Sequence, residues 1–383
     1  MHAVVVGGGI GGLGAAIGLH RAGWTVTVLE QAPEFGDVGA GISLWPNALR
    51  CLDELGVDLG EHLAVQTQGG LRDRRGRWLA RWDAAAFERH HGRPLTGIHR
   101  ADLIAGLRDA LPADRLRTGV KVTEVTEDGL VRFTGGELQA DLVVAAEGIR
   151  SPIRHALFPA CPEPVYCGST AFRGIARPAR IPGLSTSFDR GTEIGILPLT
   201  GGDVYWWVSY VTEPDARPAD LKAYLKEHFG GWHDPIPELI DVTPPEALLH
   251  HDLYHLGTPL GTYVRGRVAL LGDAAHAMPP FLGQGGCQAL EDAVVLAHAV
   301  ATEDTVQKAL QTYDTERRPR SQRVAHASVR AGKAGPQLTN PVAIALRTTL
   351  ARLLPAGLAA RSGASISGWR PPRLPRPAPP RTP

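Results

Sequence analysis

Apolar and polar positions follow three different rhythms along this chain. A continuous apolar run, Val4-Val5-Val6, leads through the glycine cluster Gly7 to Gly14 into Ala15-Ala16-Ile17-Gly18-Leu19, and this order predicts a buried strand, a tight turn and a helix. A second strand is predicted over Trp24–Leu29, ending at Glu30. Helical spacing of Ala48, Leu49, Leu52 and Leu55 predicts a helix over Asn47–Leu55 that stops at Gly56, and Leu103, Ile104 and Leu107 mark another opening at Arg100. Strands are expected over Val120–Val125, Leu130–Phe133 and Leu138–Ala146, with turns at Asp128-Gly129 and Gly135-Gly136. The last, continuously apolar after Asp141, suits a central parallel position beside the first strand and runs into the loop Glu147-Gly148-Ile149-Arg150-Ser151.

The rhythm changes near Pro159. From Val165 to about Tyr263 the runs alternate, as in Val204-Tyr205-Trp206-Trp207-Val208-Ser209-Tyr210, which predicts an antiparallel sheet with one helix over Ala219–Phe229. Trp206, Trp207 and Tyr210 either line an aromatic pocket or pack the sheet. Arg267–Leu271 reads again as a buried strand, entering the loop Gly272-Asp273-Ala274-Ala275-His276. A helix follows from near Cys287, carrying Leu290, Val294 and Ala297 inward. A long helix over Asp304–Gly332 is expected to break near Pro319, and an amphipathic helix with Arg347 and Arg352 is expected over Pro341–Ala360.

The elements divide the chain into residues 1–160 and 263–333 as two parts of one nucleotide-binding α/β domain, 161–262 as an inserted sheet, 334–368 as a C-terminal helix, and 369–383 as a Pro- and Arg-rich tail expected to be disordered. The polar stretch 66–97, with Arg72, Arg74, Arg75, Arg77 and Arg81, reads as a solvated hairpin rather than a basic binding face.

Composition narrows the function classes. Forty basic and 39 acidic residues leave a net charge of +1, so no overall field favours nucleic acid. The four cysteines show no C-x-x-C spacing, no metal-ligand cluster is visible, and no apolar run is long enough to span a bilayer. With a strand beginning at once and no signal peptide before it, the cytoplasm is the expected compartment.

The candidate chemistry starts at the glycines. Gly7, Gly9 and Gly12 have the G-x-G-x-x-G spacing: the first for a tight turn, the second for approach of a pyrophosphate, the third for close helix–strand packing. The helix that follows offers free N–H groups and its positive end to phosphates. Glu30, about twenty residues on, suits both ribose hydroxyls of an adenosine and would repel a 2′-phosphate. These residues leave NAD and FAD equally open.

The far end of the chain bears on that choice. Leu271-Gly272-Asp273-Ala274-Ala275-His276-Ala277-Met278-Pro279-Pro280, followed by Gly283-Gln284-Gly285 and Glu291-Asp292-Ala293, combines with the opening glycines, Glu30 and the Glu147-Gly148 loop. Together, from about Val4 to Arg320, they resemble the class A flavoprotein monooxygenases, the family of p-hydroxybenzoate hydroxylase, salicylate hydroxylase and zeaxanthin epoxidase. The resemblance implies an α/β fold with a Rossmann-like FAD-binding domain, an inserted antiparallel-sheet substrate domain and C-terminal helices. It implies FAD as cofactor, held by Gly7, Gly9, Gly12, Glu30, Arg100, Gly272, Asp273, Gly283, Gly285 and Gly286. Asp273 then meets the ribityl chain, and the Pro279–Gly286 loop the pyrimidine edge of the flavin. Arg173 and Pro280 are the residues expected nearest the chemistry, and His276 is expected to be structural.

The implied activity is hydroxylation of an aromatic or polycyclic small molecule by O₂ and NADH or NADPH, through a flavin C4a-hydroperoxide. The alternatives are an epoxidase of the same family, a non-catalytic flavin-binding protein and an NAD-dependent dehydrogenase. A monomer or homodimer is expected. One departure stands out: Glu147 occupies the place where the family usually carries aspartate.

Overall fold

The computed structural model describes residues 1–36, 40–180, 183–353 and 363–375. Its first sheet has six strands in the order Val264–Arg265, Val268–Leu270, Leu142–Ala145, His2–Val6, Thr25–Leu29 and Leu116–Arg117. All neighbours are parallel except the first pair, which forms a hairpin. Val4 lies between Val143 and Thr27 in register, so the apolar opening run is the centre of the sheet. The stretch expected as one strand over Leu138–Ala146 is two strands. Gly136–Gln139 closes a three-stranded antiparallel sheet with Val122–Val125 and Leu130–Phe133, and Leu142–Ala145 enters the parallel sheet. Asp141 sits between them, and its Oδ2 accepts the His2 N–H at 2.9 Å.

The helix Ile10–Arg21 packs against Gly285–Thr302, and the contact depends on missing side chains. A Cβ on Gly14 would lie 3.2 Å from Ala293 Cβ, and one on Gly18 would lie 2.6 Å from Ala297 Cβ. The central core gathers around these helices, the parallel sheet and Pro46–Leu55.

A seven-stranded sheet follows the order Leu249–His255, Val165–Ala176, Val204–Val211, Thr192–Pro198, Leu184–Asp189, Gln68–Asp73 and Trp78–Asp83. The last two strands form the hairpin expected in the 66–97 stretch, but they extend this sheet: Gln68–Asp73 pairs in parallel with Leu184–Asp189. One face packs on the helices Leu221–Phe229 and Ile236–Val242 through Phe172, Ile194, Ile196, Val204, Trp206 and Val208. Period-two alternation therefore turns Tyr205 and Trp207 to the opposite face. Of the aromatics considered for a pocket, Trp206 and Tyr210 belong to the core side, and only Trp207 faces away from it.

Two C-terminal expectations change and a third is only partly covered by the described residues. The helix Val306–Ala334 runs through Pro319 without a break, because hydrogen bonds clamp buried Arg317 and Ser321 on either side of it. The next helix spans Pro341–Leu353, and residues 354–362 lie outside the described residues. Residues 369–375, expected in a disordered tail, pack on the body. The Trp369 ring lies 5.6 Å and 5.1 Å from the Arg317 and Arg320 guanidinium carbons. Leu374 is buried and donates its N–H to Glu54 at 3.1 Å. The rest of that tail, 376–383, lies outside the described residues. Among the described residues, no helix is long and apolar enough to cross a membrane.

The second core hangs on Trp206, which is fully buried and donates its indole N–H to Thr243 Oγ1 at 2.9 Å. Trp206→Ala is expected to cost about 3–5 kcal/mol of unfolding free energy in urea titration. A loss below about 1 kcal/mol would show that this core does not depend on it.

Candidate active site

Four loops meet at the C-terminal edge of the parallel sheet, where ligands of such folds bind. They follow His2–Val6, Thr25–Leu29, Leu142–Ala145 and Val268–Leu270. In the first, Gly7 has φ +102°, and a Cβ there would lie 2.4 Å from the Ala146 carbonyl oxygen. A Cβ on Gly12 would lie 1.9 Å from the Gly7 oxygen, whereas one on Gly9 would meet nothing within 4 Å. The motif thus has two glycines that protein atoms require and one that faces open space. Glu30 ends the second strand, and its two oxygens accept the N–H groups of Gly8 at 2.6 Å and Ala32 at 2.7 Å. Each oxygen keeps a further lone pair.

The third loop is tied down from within. Glu147 accepts the Ser151 hydroxyl at 2.9 Å and the Ile153 N–H at 3.2 Å, so it holds the start of the helix Pro152–Leu157. Burial pushes its carboxyl above the usual range, against these hydrogen bonds. Fully buried Arg154 donates to the Ala274 oxygen at 3.1 Å and to the Ile149 oxygen, which links the third loop to the fourth.

In the fourth loop Gly272 has φ +61°. Asp273 is exposed to the cleft but walled by protein on its other sides; this enclosure raises its carboxyl pKa, with His276 and Arg100 opposing. A Cβ on Gly285, at the first turn of Gly285–Thr302, would lie 4.0 Å from Asp273 Oδ1. Gly286 sits against Ile42 and Ile10 at 3.0 and 3.4 Å by the same measure. The first turns of Ile10–Arg21 and Gly285–Thr302 therefore lie side by side, and neither has a side-chain cap. Gly283, at φ +61°, closes the turn Pro280–Leu282, and its missing Cβ would lie 3.1 Å from Trp45 Nε1. That indole N–H is buried without a hydrogen-bond partner. Pro280 itself is exposed, while the Pro279 carbonyl accepts the Ser328 hydroxyl at 2.6 Å.

Opposite these loops stands the outer face of the seven-stranded sheet. Arg173 pairs in register with Trp207, and Trp207 with Gly195. A Cβ on Gly195 would lie 1.9 Å from the Trp207 ring, so the indole lies flat across that strand. The Tyr205 ring stacks on Trp207 at 5.6 Å. Arg100, at the start of Arg100–Asp109, is lowered by burial; the Asp273 carboxylate opposes that shift and the Arg173 guanidinium adds to it. Tyr205 is raised by burial and lowered by Arg173 and Arg100. Arg100 is thus within electrostatic reach of Asp273 and also of Arg173 and Tyr205. Trp207 donates its N–H to Glu193 at 2.8 Å, and burial pushes the Glu193 carboxyl up to about 7.

Beneath the fourth loop lies a buried polar network that sequence reasoning missed. Arg317 donates to Asp292 at 2.7 Å, to Glu291 at 2.6 Å and to Gln288 Oε1 at 2.9 Å. Arg320 pairs with the same Glu291 at 2.6 and 2.8 Å. Asp292 accepts the Gly272 N–H at 2.9 Å and lies 2.6 Å from His276 Nε2. Burial works against the Asp292 charge, but His276 and Arg317 hold its carboxyl below the usual range. His276 therefore ties the fourth loop to Asp292. Arg317 sits in the run Glu316-Arg317-Arg318-Pro319-Arg320, which reads as a solvated face. The available signal was Glu291-Asp292 inside an otherwise apolar helix, since buried acids require a cation.

Two uncapped helix starts and a carboxylate stand at the C-terminal edge of a parallel sheet, the place where dinucleotide cofactors bind in folds of this class. The family model described as FAD binding domain matches residues 1–166 and 253–328, and the chain belongs to that family of FAD-dependent aromatic monooxygenases. The chain is 38% identical over 366 residues to the aurachin C monooxygenase/isomerase of Stigmatella aurantiaca, covering 92% of this chain and 94% of that protein. An FAD-dependent urate hydroxylase of Klebsiella pneumoniae is 34% identical over 336 residues, 83% of this chain and 86% of the hydroxylase. The crystal structure of Klebsiella pneumoniae HpxO complexed with FAD and uric acid superposes with a TM-score of 0.89 at 29% identity, covering 96% of each chain. These relatives agree with the hydroxylating reading rather than with an epoxidase, a silent flavin protein or an NAD-dependent dehydrogenase.

Two measurements test the electrostatics. Arg317→Ala leaves Asp292 and Glu291 buried beside fewer cations, and is expected to cost about 3–5 kcal/mol in urea unfolding; a near-neutral result would contradict the network. Because the Glu193 carboxyl is raised in the folded chain, it favours folding fully at pH values below its ordinary range, and that contribution is lost as pH rises toward about 7. Glu193→Gln should therefore flatten the fall in melting temperature across that window. An unchanged pH profile would show that Glu193 is not the group responsible.

Proposed function

We propose that this cleft holds FAD and that a flat aromatic or polycyclic molecule lies on the Tyr205–Trp207 floor, to be hydroxylated at the expense of O₂ and NADH or NADPH. The observation that carries the proposal is the placing of Asp273 beside the first turn of Gly285–Thr302, next to the open space at Gly9, with Arg100 in electrostatic reach of Asp273 and of Arg173 and Tyr205.

The residues fit the cofactor. Gly7 and Gly12 keep the turn tight, and the space at Gly9 admits a pyrophosphate to the first turn of Ile10–Arg21. Glu30 has lone pairs left for ribose hydroxyls, and Asp273 offers a carboxylate to the ribityl hydroxyls. Arg100 adds a cation on the same side. Gly272, Gly283, Gly285 and Gly286 would leave room for the flavin ring, and the uncapped helix start would supply N–H donors and a positive dipole end to it. Bound FAD supplies the redox chemistry that activates O₂.

The chain's own task is to hold an electron-rich ring still and dry. Trp207 and Tyr205 give it a flat apolar bed, fixed by the absence of a side chain at Gly195. Among the described residues the Arg173 side chain makes no hydrogen bond or ion pair, which leaves its guanidinium to a substrate carboxylate or phenolate. Pro280 lines the loop edge as the rigid part of the wall.

Asp273→Ala is expected to raise the FAD dissociation constant at least about tenfold, while the urea midpoint of the apoprotein stays close to wild type. Phenolic and heteroaromatic compounds screened for stimulated NADH and NADPH oxidation then identify the substrate. An unchanged FAD dissociation constant in Asp273→Ala would overturn the site assignment.

A further inference from the structure

We propose that Glu193 and Ser209 recognise an O–H or N–H donor on the substrate, at the edge opposite the acceptor that meets Arg173. The inference rests on the cofactor and substrate reading above and adds which edge groups the substrate must carry. Glu193 pairs in register with Ser209 across the strands Thr192–Pro198 and Val204–Val211. Residues directly opposite in an antiparallel pair share a face. By alternation Ser209 lies on the face of Trp207 and Tyr205, away from the core helices. Ala171, Ser209 and Glu193 thus form the row next to Arg173, Trp207 and Gly195 on the aromatic floor.

Both groups lack partners. Glu193 and Ser209 are exposed by only 8% and 3%. One Glu193 oxygen accepts the Trp207 N–H at 2.8 Å, and the other meets no hydrogen-bond donor among the described residues. The Ser209 hydroxyl is buried with no hydrogen-bond partner at all. Arg347 attracts the carboxylate, but it directs its hydrogen bond to the Gly335 oxygen at 2.7 Å and lies 5.0 Å over the Phe188 ring. Buried polar groups are normally satisfied, so two unmet groups side by side call for a partner from outside the chain. A carboxylate oxygen only accepts and a hydroxyl can accept as well, so that partner is a donor.

The sheet also sets the two ends apart. Arg173 and Glu193 stand on strands to either side of the Trp207 strand, two strand spacings or about 10 Å from backbone to backbone. A ring stacked on the indole therefore has a cation at one edge and an acid at the other. The matching class is an aromatic molecule with a carboxylate, phenolate or carbonyl oxygen on one edge and an O–H or N–H on the opposite edge. An aromatic whose far edge carries only an acceptor or an alkyl group leaves Glu193 and Ser209 unmet, and such a loss discriminates strongly between close analogues.

The test titrates the FAD-loaded enzyme, followed by the flavin absorption spectrum, with two matched pairs of probes: 4-hydroxybenzoate against 4-methoxybenzoate, and 6-hydroxy-2-naphthoate against 6-methoxy-2-naphthoate. In at least one pair the wild type should bind the hydroxy compound at least about tenfold tighter than its methyl ether. Glu193→Gln keeps an acceptor for the Trp207 N–H and presents an amide donor in place of the free oxygen, so the preference should vanish or invert while the FAD dissociation constant stays unchanged. Ser209→Ala should narrow the preference in the same direction. A wild type that binds neither pair, or binds each hydroxy compound and its ether alike, would overturn the inference and leave the two groups to a trapped water. A Glu193→Gln variant that keeps the wild-type preference would overturn it as well. FAD uptake, measured on the same samples, separates the two readings: a chain that takes up no FAD contradicts the cofactor assignment, whereas a loaded enzyme indifferent to the donor contradicts only the role of Glu193 and Ser209.

Discussion

The Asp292–Arg317 pair is the constraint on which the cleft depends. Two acids stand next to each other on a helix that is otherwise apolar and buried, and burying a charge is costly unless it is paired. Arg317 and Arg320 enter from the long helix to pair with them, and Trp369 lies over both guanidinium groups. The saturated carboxylate of Asp292 then fixes the Gly272 N–H and His276 together. The backbone around Asp273 is positioned by a charge pair that never reaches the cleft. Such a network adds little net stability over an apolar core but specifies one geometry.

On the other side of the cleft the device is apolar. The seven-stranded sheet is buried on its helix side by Trp206 and its neighbours, and its remaining face is free to carry chemistry. Gly195 makes room for the Trp207 ring, and Trp207 in turn meets a buried acid, Glu193. Ion pairs thus set the polar loop at the sheet edge, and strand alternation sets the aromatic face.

Much of this was legible in the sequence, for identifiable reasons. The apolar run with its glycines, and the strand ending in Gly272-Asp273, are local patterns whose meaning does not depend on partners far away. Strand parity in Val204–Val211 was legible too, and separates Trp207 from Trp206 once one inward residue is known. What escaped depends on distant partners. Arg317 looks solvated until Glu291 is placed beside it, 26 residues away. Pro319 looks like a break until its neighbours are seen to be clamped. The hairpin Gln68–Asp83 looks free-standing until Leu184–Asp189 pairs with it. The start of the tail looks structureless until Trp369 finds two guanidinium groups.

The order of strands in the parallel sheet also bears on how the chain is made. Leu142–Ala145 is flanked by His2–Val6 on one side and by Val268–Leu270 on the other. During synthesis the first neighbour is present early, but the second emerges only after the whole intervening sheet. Until then the central strand has an open edge, and Asp292 and Arg317 have not yet met. The cofactor cleft is consequently a late product of translation, completed from the carboxyl-terminal third inward, and a ribosome-bound chain lacking that third presents an apolar strand edge suited to a chaperone rather than a binding site.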